Sequence, residues 1–152
     1  MTDYELLREQ AEAMSDGVAW EITILSNLSA LLYESMDELN WAGFYLLRDG
    51  ALELGPFQGK PACTRIPVGK GVCGTAVLKD EIQRVEDVHA FPGHIACDGA
   101  SASEIVLPIH VKGQIVGVLD MDSPVLARFT KEDEKGLEGI VKSLERILAD
   151  LA

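Results

Sequence analysis

The N-terminal part of the chain carries apolar side chains at helical spacing in two segments. Their period predicts helices over residues 3–14 and 18–36, and the Ser-Asp-Gly run at 15–17 separates the two. One stripe of the second helix is predicted to face the core. It consists of Trp20, Ile24, Leu28, Leu31 and Leu32. The chain therefore opens with two amphipathic helices.

The apolar period then shortens to that of β-strands. Residues 41–55, WAGFYLLRDGALELG, place an aromatic run and an alternating run on either side of an Asp-Gly turn, which predicts a β-hairpin. A second hairpin is predicted over residues 103–124, where two Val/Ile-rich runs flank VKGQ. Pro108 in this hairpin indicates a bulge or an edge position.

Shorter elements lie between and after the hairpins. A short strand is predicted near Thr64–Ile66 and a short helix over residues 74–80. Residues 86–103 predict a long loop, and long loops in compact domains often carry function.

The C-terminal segment, residues 129–151, predicts one more amphipathic helix. Thr130 is its predicted N-cap, with Asp133 three positions further on. The predicted buried stripe of this helix consists of Leu137, Ile140, Val141, Leu144, Ile147, Leu148 and Leu151. The order of elements predicts a single α+β domain over residues 1–152, an antiparallel sheet with helices whose terminal members pack together.

Composition and charge narrow the classes of function. The chain has 152 residues, with 13 Lys and Arg against 25 Asp and Glu, and a net charge of −12. This balance argues against nucleic acid as a partner, because phosphate contacts need clustered basic residues. Surplus acid aids solubility and permits a cationic ligand. No apolar run reaches the roughly 18–20 residues of a membrane span, and the N-terminus lacks a secretory signal core, so we expect a cytoplasmic protein.

Three cysteines, Cys63, Cys73 and Cys97, show neither a zinc-ligand spacing nor a paired disulfide framework. Cytosolic cysteines stay reduced unless redox chemistry is their purpose. Cys97 stands out because it lies among loop-forming and polar residues, whereas a buried structural cysteine usually lies in an apolar element. His94 and His89 are nearby, but no paired spacing supports a metal site, and we expect none.

Four longer stretches carry a resemblance to a known family. They are LNWAGFYLL, LGPFQGKPACTRIPVGKGVCGTAV, DVHAFPGHIACD, and SEIVLPI with GVLDMDSP. Together they resemble the free methionine-(R)-sulfoxide reductases, which are GAF-fold enzymes. The resemblance implies an antiparallel sheet with the N- and C-terminal helices packed on one face and loops closing a pocket on the other. It also implies free methionine-(R)-sulfoxide as substrate, thioredoxin as reductant and no cofactor.

The same motifs imply roles for the cysteines. By resemblance, Cys97 in HIACD is the catalytic cysteine, Cys63 in PACTRI the main resolving cysteine, and Cys73 in GKGVCG an auxiliary one. Attack of a thiolate on the sulfoxide leaves a sulfenic acid, which a second thiol converts to a disulfide. His94, loop N–H groups or a helix N-terminus are candidates for favouring the thiolate. The structural alternative is that Cys63 and Cys73 are ordinary small loop residues.

Three acidic residues, Glu104, Asp120 and Asp122, are candidates for binding the ammonium of the substrate. Asp120 and Asp122 are two positions apart and therefore share one face of a strand. A buried unpaired acid is unfavourable, so a converging set would bind a cation, and either Glu104 or Asp122 with a raised pKa could protonate the sulfoxide oxygen. The alternative is a solvated strand end; the resemblance favours the functional interpretation.

Trp41 and Tyr45, four positions apart, share a strand face and are candidates for an apolar wall around the substrate methyl group. Aromatic residues on strands are more often plain core, and only the resemblance favours the wall. In the long loop, Asp87, His89 and Asp98 are alternatively turn formers.

Two other functions stay open at this stage. A GAF module can act as a sensor that binds a cyclic nucleotide or a bilin, although we expect no output domain beside it in this chain. Alternatively, the cysteines could form a redox switch, which would react once without turnover. The sequence also leaves the oligomeric state open, a homodimer included.

Overall fold

The structure, a computed structural model, describes residues 1–95, 97 and 99–151. Its elements are, in chain order, α1 (Tyr4–Ser15), α2 (Glu21–Ser35), β1 (Trp41–Arg48), β2 (Ala51–Gly59), β3 (Arg65–Pro67), α3 (Gly71–Lys79), β4 (Gln83–Val85), a 3-10 turn (Val88–Ala90), β5 (Ser103–Val111), β6 (Gln114–Ser123) and α4 (Lys131–Leu151). The strands form one antiparallel sheet in the order β3-β2-β1-β6-β5-β4. The predicted α+β class with an antiparallel sheet is confirmed.

The pleat of this sheet separates two hydrophobic cores. On β1, Ala42 and Phe44 face the core formed with α1, α2 and α4, whereas Trp41 and Tyr45 face the opposite core, which contains α3. The strands β5 and β6 alternate in the same way. The terminal helices therefore cover one face, and the other face is left to α3 and loops.

Both predicted hairpins are present, and their turns have the backbone that a two-residue connection requires. Asp49 and Gly50 have φ values of 51° and 79°, and Lys112 and Gly113 have values of 53° and 80°. Pro108 lies beyond the end of β4, which pairs with β5 only up to Val106, so the predicted edge position is confirmed.

Several boundaries and one buried residue differ from the sequence predictions. Trp20 was expected in the core but is 65% exposed, because α2 begins at Glu21, three residues after the predicted start at residue 18, and Trp20 precedes it with extended backbone. Leu151, at the end of α4, is also exposed. The helix α3 begins at Gly71 rather than residue 74, and the short β4 was not predicted at all. Asp98, a predicted turn former, lies outside the described residues.

The predicted capping of α4 is confirmed and also joins the two ends of the chain. The Asp133 amide donates to Thr130 Oγ1 at 3.1 Å, and the Thr130 amide donates to Asp133 Oδ2 at 2.9 Å. The Tyr4 hydroxyl, on α1, donates to Asp133 Oδ1 at 2.6 Å. The terminal helices thus pack together, as expected. Within the described ranges, no helix combines the length and apolarity needed to cross a membrane.

Two glycines in the interior of α4 have contrasting surroundings. A Cβ atom added at Gly136 would overlap the ring of Tyr4, whereas one added at Gly139 would meet nothing within 4 Å. Gly136 therefore provides the space for the close packing of α1 on α4.

We predict opposite effects of alanine at these two positions. Gly139→Ala should stabilise the protein by about 0.5–1 kcal/mol, because alanine loses less backbone entropy in a helix. Gly136→Ala gains the same propensity but must displace the Tyr4 ring, so it should destabilise. Urea unfolding of the two variants measures the difference, and equal stabilisation by both would show that the contact with Tyr4 is not restrictive.

Candidate functional site

The candidate site is a pocket on the sheet face that carries α3. Strands β1, β5 and β6 form its floor, and the N-terminus of α3 and the loop before β5 form its rim. The pocket brings together most of the residues proposed from sequence, namely Trp41, Tyr45, Cys73, Cys97, Glu104, Asp120 and Asp122. Residues from four separate stretches of sequence therefore converge on one cleft.

Cys63 and Cys97 form a disulfide bond at this pocket. Cys63 lies between β2 and β3, Cys97 lies in the loop before β5, and 34 positions separate them in sequence. Their Cα atoms are 5.4 Å apart, a usual separation for a disulfide. Both residues are half-buried. The pair that the resemblance implied is thus covalently joined in this structure.

Cys73 is a free thiol and lies in the first turn of α3. Its side chain is buried, and this burial raises the pKa of the thiol well above its usual value; the carboxylates of Asp120 and Glu104 raise it further. Cys73 is therefore a protonated thiol at neutral pH. Such a thiol is a poor nucleophile beside one that ionises readily.

The acidic residues lie in adjacent positions across the sheet. Glu104 on β5 pairs in register with Asp122 on β6, and Asp122 pairs with Trp41 on β1. Asp120 belongs to the same face, two residues earlier on β6. Glu104 and Asp120 are buried, at 7% and 5% exposed, and Asp122 is half-buried. The interpretation as a solvated strand end is therefore wrong for Asp120, whereas Asp122, next to the last residue of β6, is only half-buried.

Burial of these acids changes their protonation. Burial raises the pKa of Glu104 well above its usual range, and the charges of Asp120 and Asp122 raise it further. Burial also raises the pKa of Asp120, against the opposing effect of its hydrogen bonds with Glu104 and Cys73. Asp120 Oδ1 is buried and accepts no hydrogen bond from any described residue. An acceptor at the floor of the pocket is thus left for a ligand.

The only metal-type cluster among the described residues consists of Cys73, Glu104 and Asp120. Each offers one ligand atom, and these atoms lie within 4.8 Å of one another. His89 and His94 lie in edge-to-face contact, with their ring centroids 6.2 Å apart, and do not belong to this cluster. Burial, followed by the neighbouring His89, lowers the pKa of His94. Cys73 and Glu104 hold their protons more tightly than usual, and a metal ion would have to displace those protons to bind there.

Trp41 and Tyr45 form one wall of the pocket. Both are 2% exposed, and their rings stack with centroids 5.8 Å apart. Trp41 also stacks on Phe57 of β2 at 5.2 Å. Burial, followed by the charge of Asp120, raises the pKa of Tyr45 above its usual value, so its hydroxyl remains a donor.

The start of α3 is the part of the site that sequence reasoning missed. Lys70 precedes the helix, and no side chain caps it, while Gly71 and Val72 of its first turn line the pocket. Gly71 has a φ of 62°, which favours glycine and allows the chain to turn into the helix. The run GKG was a signal for this turn, but the predicted helix began three residues later. Ser101, also missed, lines the pocket from the loop before β5.

Residues 21–148 match the sequence model of the GAF domain. The chain is 60% identical to the free methionine-R-sulfoxide reductase of Escherichia coli (strain K12) over 146 residues, which cover 96% of this chain and 88% of that protein. It is 45% identical to the free methionine-R-sulfoxide reductase of Saccharomyces cerevisiae over 143 residues, which cover 89% of this chain and 79% of that one.

A solved structure gives the same result in three dimensions. The reduced form of fRMsr from Staphylococcus aureus superposes with a TM-score of 0.95 at 54% identity, covering 98% of this chain and 97% of that one. The complex of that protein with its substrate gives a TM-score of 0.94. Sequence and structure agree, and the chain belongs to the free methionine-R-sulfoxide reductase family, which is built on the GAF domain.

Proposed function

We propose that this protein reduces free methionine-R-sulfoxide to methionine with Cys97 as nucleophile and Cys63 as resolving cysteine. The observation that carries the proposal is the Cys63–Cys97 disulfide beside a pocket with buried carboxylates. The relatives from Escherichia coli and Saccharomyces cerevisiae are free methionine-R-sulfoxide reductases, which supports this choice of substrate. We propose that it acts in the reducing cytoplasm, where it would repair oxidised free methionine.

The reaction has two chemical steps before the enzyme is reset. The thiolate of Cys97 attacks the sulfoxide sulfur, the oxygen takes up a proton, and methionine leaves as Cys97 becomes a sulfenic acid. The thiol of Cys63 then attacks that sulfenic acid, which forms the disulfide and releases water. A dithiol protein, which we propose to be thioredoxin, then reduces the disulfide by thiol–disulfide exchange and is itself oxidised.

Cys63 is better suited than Cys73 to the second step. Cys63 is half-buried and within disulfide distance of Cys97, as their bond demonstrates. Cys73 is buried in α3, and its carboxylate neighbours disfavour the thiolate. We therefore assign Cys73 a binding role, as a hydrogen-bonding neighbour of Asp120 in the floor of the pocket.

The ammonium of the substrate is assigned to the acidic floor. Asp120 presents a buried oxygen that no described residue satisfies, and Glu104 and Asp122 lie beside it. A bound ammonium would satisfy that oxygen and offset the repulsion between these acids. Of the candidate proton donors, Glu104 is favoured, because burial and the neighbouring charges keep its carboxyl protonated at a higher pH than usual. Asp122 then acts in binding and in raising the pKa of Glu104.

The other two groups of the substrate fit the opposite sides of the pocket. Its carboxylate is assigned to the uncapped N-terminus of α3 at Gly71 and Val72, where the helix dipole and first-turn N–H groups favour an anion. Its methyl group is assigned to the stacked rings of Trp41 and Tyr45. Recognition of both charged ends explains a preference for the free amino acid over a methionine residue in a peptide.

The cysteine assignments predict three different outcomes of substitution. Cys97→Ser should abolish methionine release, since the nucleophile is gone. Cys63→Ser should release a single methionine per protein but lose thioredoxin-coupled cycling by about tenfold or more, because the positioned second thiol is missing. Cys73→Ser makes the same change at the thiol with a proposed binding role, and it should retain most of the cycling because the serine hydroxyl can keep the hydrogen bond to Asp120. A stopped-flow burst assay for methionine and an NADPH-coupled assay with thioredoxin and its reductase measure the two stages.

Two results would contradict these assignments. Methionine release by Cys97→Ser would remove the proposed nucleophile. Loss of cycling in Cys73→Ser with normal cycling in Cys63→Ser would exchange the proposed roles of the two thiols. Wild-type protein that oxidises once and never cycles would indicate a redox switch instead of an enzyme.

The acidic floor predicts discrimination at the substrate nitrogen. Acetylation removes the charge of the ammonium and leaves the buried oxygen of Asp120 unpaired. That loss corresponds to at least about 1–3 kcal/mol, or roughly tenfold to over a hundredfold in kcat/KM. The measurement compares kcat/KM for methionine sulfoxide and N-acetyl-methionine sulfoxide. A ratio near one, with Glu104→Gln, Asp120→Asn and Asp122→Asn all fully active, would show that the acidic floor does not bind the ammonium.

The buried carboxyl of Glu104, which we propose is needed for activity, is predicted to lower the stability of the folded protein at high pH. Because the folded-state pKa of Glu104 is raised above its unfolded value, the contribution of this group to stability is full below the unfolded pKa and is lost as pH rises through the folded pKa. Glu104→Gln removes this loss, so its Tm without substrate should exceed that of wild type at pH 8 but not at pH 4. A gain of 1 kcal/mol corresponds to roughly 2–4 °C.

Glu9→Gln, at an exposed position of α1, is the control for this comparison and should show no such pH-dependent gain. Differential scanning calorimetry at both pH values measures it. A Tm of Glu104→Gln that is lower than wild type at pH 8 would mean that the ionised carboxylate stabilises the free protein, contrary to our assignment.

A further inference from the structure

The two aromatic residues of the pocket wall also contact the segment that carries Cys63. The Tyr45 hydroxyl donates a hydrogen bond to the backbone carbonyl oxygen of Cys63 at 2.9 Å. The Trp41 indole Nε1 donates to the carbonyl oxygen of Lys60 at 3.1 Å. Both bonds run from β1 to residues 60–63, which connect β2 to β3.

This connecting segment has few other polar attachments. Between described residues, no backbone–backbone hydrogen bond involves residues 60–63, and Pro61 has no N–H to donate. In the oxidised protein the disulfide to Cys97 holds the segment covalently. Once the disulfide is reduced, that attachment is lost, and the bonds from Tyr45 and Trp41 become the main polar contacts that restrain Cys63.

The donors of these bonds are themselves held rigidly. β1 pairs with β2 on one side and β6 on the other, so its backbone is fixed from both edges. The rings of Phe57, Trp41 and Tyr45 stack in succession, and the two donors are almost fully buried. A donor on a rigid strand can set the position of a loop that has little secondary structure of its own.

We propose that Tyr45 and Trp41 are positioning residues that hold Cys63 within bonding reach of Cys97 in the reduced protein. This inference rests on the proposed role of Cys63 as resolving cysteine. The step that it assists joins the Cys63 thiol to the Cys97 sulfenic acid, which forms one S–S bond and releases one water. The two aromatic side chains take no part in the bond changes.

A positioning residue acts here by limiting the conformational freedom of the segment that carries Cys63. A reduced segment that can move away from Cys97 must be ordered again before the S–S bond forms, and the bond then forms less readily. Removal of a donor frees the reduced segment and therefore lowers the equilibrium constant for forming the disulfide. One hydrogen bond corresponds to roughly three- to tenfold in that constant.

The test measures the disulfide itself and needs no sulfoxide. Full-length wild type, Tyr45→Phe, Trp41→Phe and Tyr33→Phe are equilibrated with mixtures of reduced and oxidised dithiothreitol, quenched with acid and alkylated. Mass spectrometry then gives the fraction of the Cys63–Cys97 disulfide. Tyr45→Phe keeps the ring and removes only the hydroxyl, and Tyr33→Phe makes the same change on the partly exposed surface of α2.

We expect the equilibrium constant to fall about three- to tenfold in Tyr45→Phe, and to fall also in Trp41→Phe, while Tyr33→Phe matches wild type. Equal constants for Tyr45→Phe and Tyr33→Phe would overturn the proposal. Urea unfolding of each variant verifies that it is folded, and Tyr45→Phe alone decides the test if Trp41→Phe does not fold.

A kinetic measurement separates this inference from the proposed function. With methionine-R-sulfoxide, Tyr45→Phe should close the disulfide more slowly than Tyr33→Phe, so that dimedone traps more sulfenic acid at Cys97. If Cys97→Ser releases methionine, the proposed function fails whatever the dithiothreitol equilibrium shows. If Cys97→Ser is inactive and Tyr45→Phe closes its disulfide at the control rate, only the positioning role is wrong.

Discussion

The two-residue repeat of the antiparallel strands is the constraint on which the rest of the structure depends. On β1, β5 and β6, every second side chain enters the apolar core under the helices, and those between them face the other side of the sheet, where five of them line the pocket, namely Trp41, Tyr45, Glu104, Asp120 and Asp122. A slip of one residue in β6 would exchange Asp120 with Leu119 and place an acid in the apolar core. The core and the site therefore specify the same register.

Because the acids belong to strands, they are held close together whether or not a ligand is present. Glu104 and Asp122 are direct neighbours across the sheet, and neither can move away without breaking the ladder between β5 and β6. Their mutual repulsion and burial destabilise the charged state, and the apolar core on the opposite face offsets this. For the ammonium binding that we propose, the acids are thus already in place before the ligand arrives, as in other preorganised binding sites.

The positions of Cys63 and Cys97 depend on the connections between strands and not on the strands themselves. The connection between β2 and β3 and the loop before β5 meet beside the pocket, which allows Cys63 and Cys97 to bond. β1 lies between β6, which carries two of the acids, and β2, which leads into the Cys63 segment. Its aromatic side chains wall the pocket on one side and donate hydrogen bonds to the Cys63 segment through their polar ends.

Local chemistry was enough to predict the hairpins, the capping of α4 by Thr130 and Asp133, and the shared strand face of Asp120 and Asp122, because each depends on residues a few positions apart. The motifs alone pointed to the family and to Cys97. Only the tertiary structure decided that Trp20 is exposed, that α3 begins at Gly71 and lines the pocket, and that Tyr45 bonds to the segment of Cys63. These features depend on elements far apart in sequence, and the burial and pKa of Glu104 likewise follow from everything packed around it, which no local pattern contains.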